Sequence, residues 1–433
     1  MVFQIVSASN VTGGPGVFLA TAGDAAFVPL GILVGSVDDV GVTGEASHLD
    51  AMIDGTVSGK VAAVRLGNSG SYDEDQSVFV GATGILRGQA TALHVLGHDS
   101  AVTNFGQIGG GAVGITLSGQ GLGQTRVLNH GVISADIGIT RSGVTDTETI
   151  HVLNMGTLDG RIAAYDGLTV VVSDIFVNRG LVVGDVRLGG GDDRFDTRGA
   201  GEVQGIIFGG AGADTFLLGA AEDVIDGGAG IDTVDATVSG AIILALDGSV
   251  AGMGRTAGDS LTGIEAVLGS WLGGDQLFGT TGAQTLSGQG GADRLEGRTG
   301  NDTLLGGDGN DLMAGEAGVD LLNGGAGDDR FVFRARAEAG DTIANFGAVL
   351  GDNDLFVLTA AGFGGGLAPG ALQAARFQAR ADFAAQDADD RFIFRTTDKT
   401  LWFDANGNVA GGLTLIAHLP MSAVMTAADI LLV

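Results

Sequence analysis

Aspartate recurs on every ninth residue of GGDGNDLMAGEAGVDLLNGGAGDDRF (306–331). Asp311, Asp320 and Asp329 each stand two residues ahead of an apolar side chain, Met313, Leu322 and Phe331. Carried backwards, the beat divides 270–332 into seven units of nine residues. The fourth residue is glycine and the eighth apolar in all seven, and the sixth is aspartate in six, with Gln284 the exception. An earlier block, 209–235, holds GGAGADTFL, the degenerate LGAAEDVID and GGAGIDTVD, and LGGGDDRFD at 188–196 is a further, out-of-phase copy.

What chemistry this spacing allows follows from simple geometry. Glycine permits the positive φ of a tight turn and leaves its carbonyls uncovered, while the x-apolar-x part is a minimal strand with its middle side chain inward. Two units make one coil, so residues eighteen apart lie on adjacent coils: Asp275, Asp293, Asp311 and Asp329 form one column, Asp302 and Asp320 the opposite one. Stacked strands sit ~4.8 Å apart. Two carboxylates at that separation repel by roughly 1 kcal/mol in water and by a few kcal/mol at an effective dielectric of ~20. Such a column destabilises itself unless a cation lies within it. Carboxylate and carbonyl oxygens suit Ca²⁺, and no cysteine or histidine in the block argues for zinc. The candidate ligands are Asp193, Asp214, Asp232, Asp275, Asp293, Asp302, Asp311, Asp320 and Asp329. With them go the loop glycines Gly210, Gly212, Gly228, Gly230, Gly307, Gly309, Gly325 and Gly327. Asp311 has an aspartate eighteen residues away on both sides, whereas Gln284 interrupts its column.

The elements that position these columns extend upstream. Gly-x-apolar-x-Gly (or Ala) strings begin at 31, 55, 84, 106, 131, 156, 180 and 205, spaced 22 to 29 residues apart. In four consecutive copies an asparagine stands two residues before the glycine (Asn104, Asn129, Asn154, Asn178), with Val102, Val127, Val152 and Phe176 two residues earlier. One equivalent strand per ~25-residue turn predicts a parallel β-helix, with the asparagines stacked as an amide ladder. The last string, GIIFG, runs into the first nonapeptide, which predicts one continuous solenoid. The expected fold is all-β. A parallel β-helix over 1–187 leads to a first calcium roll over 188–235, connecting strands over 236–269, a second roll over 270–332 and a C-terminal cap over 333–433.

Composition bounds the rest. Of 433 residues, 80 are glycine, 4 proline and none cysteine, and the net charge is -30 with lysine only at 60 and 399. So acidic a surface argues against nucleic acid and anionic membrane as partners. No apolar run approaches the ~20 residues of a membrane helix, and the N-terminal stretch lacks the basic start of a secretory signal.

The nonapeptide is the pattern of the RTX calcium-binding proteins, and 188–433 resembles their type I-secreted members. LTGIEAVLGS is similar to the linker between two nonapeptide blocks. FVFRARAEAGDTIANF (331–346) resembles the cap of serralysin-type rolls, with Asn345 where an aspartate is common. DADDRFIFRTTDKTLWFDANGNV (387–409) is similar to the β-hairpin module that follows, and DILLV (429–433) to the tail read by type I exporters. The resemblance implies a secreted or cell-surface protein with the export machinery as a partner.

No enzyme is expected. HVLGH (94–98) has Val95 where the H-E-x-x-H zinc motif needs glutamate, and no G-x-S-x-G occurs. Uronan epimerases and polysaccharide lyases, which pair a β-helix with such rolls, are the alternative, with His130, Asp136, Arg141, Asp146, His151, Asp159 and Arg161 as candidate groove residues. The preferred reading is a calcium-stabilised structural solenoid outside a Gram-negative cell. It would be a self-assembling surface-layer, filament, matrix or adhesin component, with cell-surface polysaccharide a candidate partner and residues 1–30 at a subunit contact.

Overall fold

In the computed structural model the described residues are all of 1–433 except 1–2, 8–9, 68–72, 120–122, 144–145, 250–251, 348–352, 383–384 and 410. The chain forms two compact units: 1–233 with 259–263, and 234–258 with 264–433.

In the first unit the repeat dictates parallel pairing, because equivalent residues of successive turns land on one another. Ala101–Asn104, Gln124–Asn129, Thr149–Asn154 and Ile175–Asn178 pair in parallel, in register. Val102, Val127, Val152 and Phe176 thereby form one buried column. Asn104, Asn129, Asn154 and Asn178 lie next to it, inside the coil and 0–1% exposed. Each of the first three donates from Nδ2 to the next Oδ1, at 2.8, 2.7 and 2.9 Å. The same amides also donate to the carbonyls of Val132, Thr157 and Leu181, so the polar groups are paired in an interior where an unpaired amide would cost 1–3 kcal/mol or so. The amide ladder expected from the sequence is present.

Each coil contains more than the one strand that its glycine string announces. Gln107–Gly110 is followed by Val113–Ser118, and in the next two coils the corresponding strands merge into Val132–Arg141 and Thr157–Asp166. GIIFG also departs from the expected period. Leu181–Val183 pairs with Glu202–Gln204, and Ile206–Ala211 pairs one strand further on, with Val186–Gly190. The coil has already shortened at that point. Parallel pairing continues through Val224–Ala229, so β-helix and first nonapeptide block are one stack.

The second unit is built on the eighteen-residue coil. Leu277, Leu295, Met313, Phe331 and Phe356 stack down one sheet, and Val267, Leu286, Leu304, Leu322 and Ile343 down the other. All of them are buried. The hairpin read at 387–409 is formed by Phe392–Arg395 and Thr400–Asp404, antiparallel, and Leu413–His418 adds a third strand. Ile430–Leu432 pairs with Leu355–Leu358, burying Ile430 and Leu432 at the C-terminal end of the chain.

Candidate metal centre

The aspartates of the nonapeptides are arranged as ladders. In the second unit, Asp275 N–H donates to Asp293 Oδ1 (2.7 Å), Asp293 to Asp311 (2.8 Å) and Asp311 to Asp329 (3.0 Å). In the opposite column Gln284 N–H donates to Asp302 Oδ1 (2.8 Å) and Asp302 to Asp320 (2.7 Å). In the first unit Asp193 donates to Asp214 and Asp214 to Asp232, both at 2.8 Å. Every aspartate singled out in the sequence is buried on one of these three ladders.

One oxygen of each carboxylate is thus engaged. The other is the informative one. Oδ2 of Asp193, Asp214, Asp293, Asp302, Asp311 and Asp320 is buried and meets no hydrogen-bond donor. In Asp214, Asp293, Asp302, Asp311 and Asp320 it turns back over the first glycine of its own nonapeptide. A Cβ built on Gly306 would lie 2.2 Å from Asp311 Oδ2 and 2.4 Å from the Gly324 carbonyl of the next coil. The same pairing recurs at Gly209, with Asp214 Oδ2 at 2.3 Å and the Gly227 carbonyl at 2.5 Å. Carboxylate and carbonyl oxygens from successive coils converge on one small space that a methyl group would fill. Carbonyls alone converge in the same way at Gly55 and Gly106 of the β-helix, so it is the buried carboxylate oxygen without a donor that calls for a cation.

The electrostatics agree. Burial, reinforced by the neighbouring aspartates, pushes the Asp193 carboxyl up to about 8, Asp311 to about 7, and Asp293 and Asp214 to about 6. For Asp302 the value is about 6, and Asp275 and Asp320 move in the same direction, burial again the main cause. No arginine or lysine is paired with these groups among the described residues. Nor do three His, Cys, Asp or Glu side chains converge on a point among the described residues. A cation here draws on two aspartates and main-chain oxygens, the donor set of Ca²⁺.

The loop glycines are needed for their backbone. Gly210, Gly212, Gly228, Gly230, Gly307, Gly309, Gly325 and Gly327 all have φ between 101° and 143°. Gly309 is the tightest, since a Cβ there would meet the Gly291 carbonyl at 1.5 Å. At three of the positions where the second glycine is replaced the backbone stays left-handed: Gln289, Arg298 and Glu316 have φ 72°, 73° and 67°, whereas Trp271 and Thr280 do not adopt it. That conformation costs roughly 1–2 kcal/mol in a non-glycine residue. Gln284 turns into its own loop, its Oε1 accepting from Thr280 N–H (3.0 Å) and its Nε2 donating to Thr280 Oγ1 (2.8 Å). It brings no charge to its rung.

The ladders run further than the nonapeptides. Asp320 N–H donates to Asp341 Oδ1 (3.0 Å) and Asp329 N–H to Asp354 Oδ1 (3.1 Å), and burial raises Asp341 to about 8. Upstream, Asp174 N–H donates to Asp193 Oδ1 (2.6 Å). These rungs escaped the sequence because they lie 21, 25 and 19 residues from their neighbours, not 18. The carbonyls of the first glycines, Gly227 and Gly324 among them, were likewise missed, since a main-chain oxygen carries no side-chain signal.

The candidate groove residues do not converge. Arg141 lies inside the coil, paired with Asp174 and donating to the Glu148 carbonyl (2.7 Å). Arg161 pairs with Asp136 on the outer surface (2.8 Å), and Asp159 accepts from Ser134 Oγ (3.1 Å). His151 stands on a different sheet from these, and Asp146 accepts from Ser118 Oγ (3.3 Å). His130 stacks on the Phe105 ring, 4.7 Å between centroids. Of the HVLGH pair, His94 is lowered to about 4 by burial and then Arg65, while His98 Nδ1 faces Asp99 Oδ2 (2.9 Å).

Comparison with known proteins agrees with the geometry. The family model for four copies of the RTX calcium-binding nonapeptide repeat matches 205–234, 272–304 and 296–331. A comparison with curated proteins finds no match. Among solved structures, the AlgE6R3 subunit of the Azotobacter vinelandii mannuronan C5-epimerase is similar at 28% identity over 36% of this chain and 76% of that one. Its TM-score of 0.18 is too low to carry a conclusion. Residues 205–234 and 272–331 are RTX calcium-binding nonapeptide repeats.

Proposed function

We propose that the chain is an exported structural solenoid that folds on meeting calcium. The carrying observation is the set of buried Oδ2 atoms on Asp193, Asp214, Asp293, Asp302, Asp311 and Asp320, which meet no donor. Calcium there, held by these aspartates with Asp232, Asp275, Asp329 and the loop carbonyls, couples ion binding to folding, because the unfolded chain has no such site. In a calcium-poor cytoplasm the chain stays extended, with the DILLV tail open to a type I exporter. After export the tail is buried as the strand Ile430–Leu432.

A structural role outside the cell, in a surface layer, filament, matrix or adhesin, is supported by the dispersal of the candidate groove residues over separate faces. Self-assembly is supported by the first coil. Among the described residues, Phe3–Ile5, Asn10–Thr12 and Val17–Leu19 each pair on one side only, and such edges recruit further strands. Phe3, Ile5 and Phe18 are exposed beside them. Circular dichroism and light scattering of the full chain across a calcium titration test both parts. The reading requires a chelator-sensitive strand signal and calcium-dependent growth in size. Turnover of uronate polymers would move the function to the epimerase or lyase class.

A further inference from the structure

The first unit holds a further pair of stacked carboxylates, one on a degenerate nonapeptide and one outside the matched repeats. Asp223 belongs to the degenerate unit LGAAEDVID, which has Leu218 and Ala221 where the motif has glycine. Its partner, Asp259, lies 36 residues on, beyond the matched repeats. Asp223 N–H nevertheless donates to Asp259 Oδ1 at 2.8 Å, the contact made at every rung of the calcium ladders.

Asp223 is completely buried (0% exposed). Its Oδ2 accepts from the Thr197 hydroxyl (3.0 Å), but its Oδ1 meets no donor, and neither does Oδ2 of Asp259. No arginine or lysine pairs with either carboxylate among the described residues. Burial raises Asp223 to about 6 and, with Asp223 and Glu222 adding repulsion, Asp259 to about 7. Two buried oxygens without donors, on carboxylates joined by the same backbone contact as the nonapeptide rungs, leave the pair short of positive charge. With no histidine or cysteine in reach, the donors suit a hard divalent cation.

We propose that Asp223 and Asp259 hold a calcium-type ion at a site outside the nonapeptide consensus, and that this ion fastens the segment 259–263 to the end of the first stack. The segment is otherwise held lightly. Ser260–Thr262 pairs with Val224–Asp226, Ser260 N–H donates to the Asp223 carbonyl (2.9 Å) and Thr262 Oγ1 to the Ile225 carbonyl (3.2 Å). A strand of three residues gains little from these bonds, and beyond the buried Leu261 side chain the ion is its main fastening. The proposal rests on the calcium reading of the repeats, and its test separates the two.

The experiment counts calcium ions on the full-length chain by native mass spectrometry, and follows hydrogen exchange of 259–263 with calcium and with chelator. Asp223→Asn and Asp259→Asn keep the shape and remove the charge, and Asp311→Asn serves as the nonapeptide control. Each of the first two variants is expected to bind one ion fewer than the unsubstituted chain. Calcium-dependent protection of 259–263 should be lost while that of 277–331 is kept. An unchanged ion count in Asp259→Asn, the less buried position, overturns the site whether or not Asp223→Asn folds. If Asp311→Asn lowers the count and Asp259→Asn does not, the repeats bind calcium and this site does not. If the unsubstituted chain binds no calcium at all, the underlying reading fails with it.

Discussion

The guanidinium of Arg141 is paired with the carboxylate of Asp174 inside the coil, where a column of neutral side chains gives way to aspartates. Upstream, Leu49 N–H donates to Gln76 Oε1, Gln76 to Ser100 Oγ and Ser100 to Thr125 Oγ1, each at 3.2 Å. Ile150 N–H then donates to Asp174 Oδ1 (2.9 Å), and Asp193, Asp214 and Asp232 follow. From Leu49 to Ile150 that interior position is uncharged, and from Asp174 onward it is anionic. At the junction the countercharge comes from the chain itself, with the Tyr165 hydroxyl donating to Asp174 Oδ2 at 2.5 Å.

The first prediction concerns that junction. Removing one partner of a buried pair leaves an uncompensated charge, at a cost of about 3–5 kcal/mol. Arg141→Met is therefore expected to destabilise the first unit by that order, with calcium absent. Adding Asp174→Asn should recover most of the loss. Chemical denaturation of the full chain in chelator measures it, read by hydrogen exchange over 149–178. Both single variants costing under about 1 kcal/mol would remove the internal-countercharge reading.

How far this was legible in the sequence follows from chain spacing. Aspartates at eighteen-residue intervals and asparagines at about twenty-five could be read directly, because a constant coil turns sequence distance into spatial adjacency. Asp174, Asp341 and Asp259 could not, since each enters its ladder where the coil length changes. The two further strands of each coil, such as Val113–Ser118, were hidden for another reason: no glycine string recurs to mark them. Arg141 looked like a surface groove residue because its partner is 33 residues away.

The second prediction is that calcium and protons are interchangeable in part. A carboxyl whose folded pKa is raised binds more protons folded than unfolded, so its contribution falls as pH rises. For Asp293, Asp311 and Asp193, at about 6, about 7 and about 8, the loss begins near the unfolded value of 3.8 and is complete above about 8. In chelator, the rolls should be most ordered near pH 4–5 and lose strand signal on titration to pH 8. With calcium the order reverses, since protons compete for the same oxygens. A chelated protein whose dichroism is unchanged between pH 4.5 and 8 would contradict it.

Position in the column sets the third. Asp311 serves two steps, accepting from Asp293 and donating to Asp329, whereas Asp302 has an aspartate on one side only. Asp311→Asn should remove two calcium ions and Asp302→Asn one, counted by native mass spectrometry. Equal losses would show that the ions do not bridge successive rungs.

Sterics give a fourth. Gly306→Ala places a methyl 2.2 Å from Asp311 Oδ2 and 2.4 Å from the Gly324 carbonyl, in the space assigned to the ion. Overpacking of this kind costs typically 1–3 kcal/mol, and here it should also weaken calcium binding at that loop. The signature is a higher calcium midpoint for folding, with little change in chelator. Equal destabilisation with and without calcium would place the effect on packing alone.

The last prediction adds a site. Gln284 occupies an aspartate position, but its amide is satisfied by Thr280 and its rung carries no charge. Its N–H already donates to Asp302 Oδ1 at 2.8 Å, the contact made at the other rungs. Gly282 and Gly300 supply the glycine positions on either side. What the rung lacks is the carboxylate, together with the positive φ that Arg298 and Gly300 have and Thr280 and Gly282 do not. Gln284→Asp should thus bind one more calcium ion than the parent chain and lower the calcium midpoint for folding. In chelator the added buried charge repels Asp302, so the same variant should be less stable than the parent at pH 8. Opposite signs with and without calcium distinguish a completed site from a general change in stability. A variant that gains no ion, or that shifts stability in the same direction under both conditions, would show that the rung is closed by more than its missing charge.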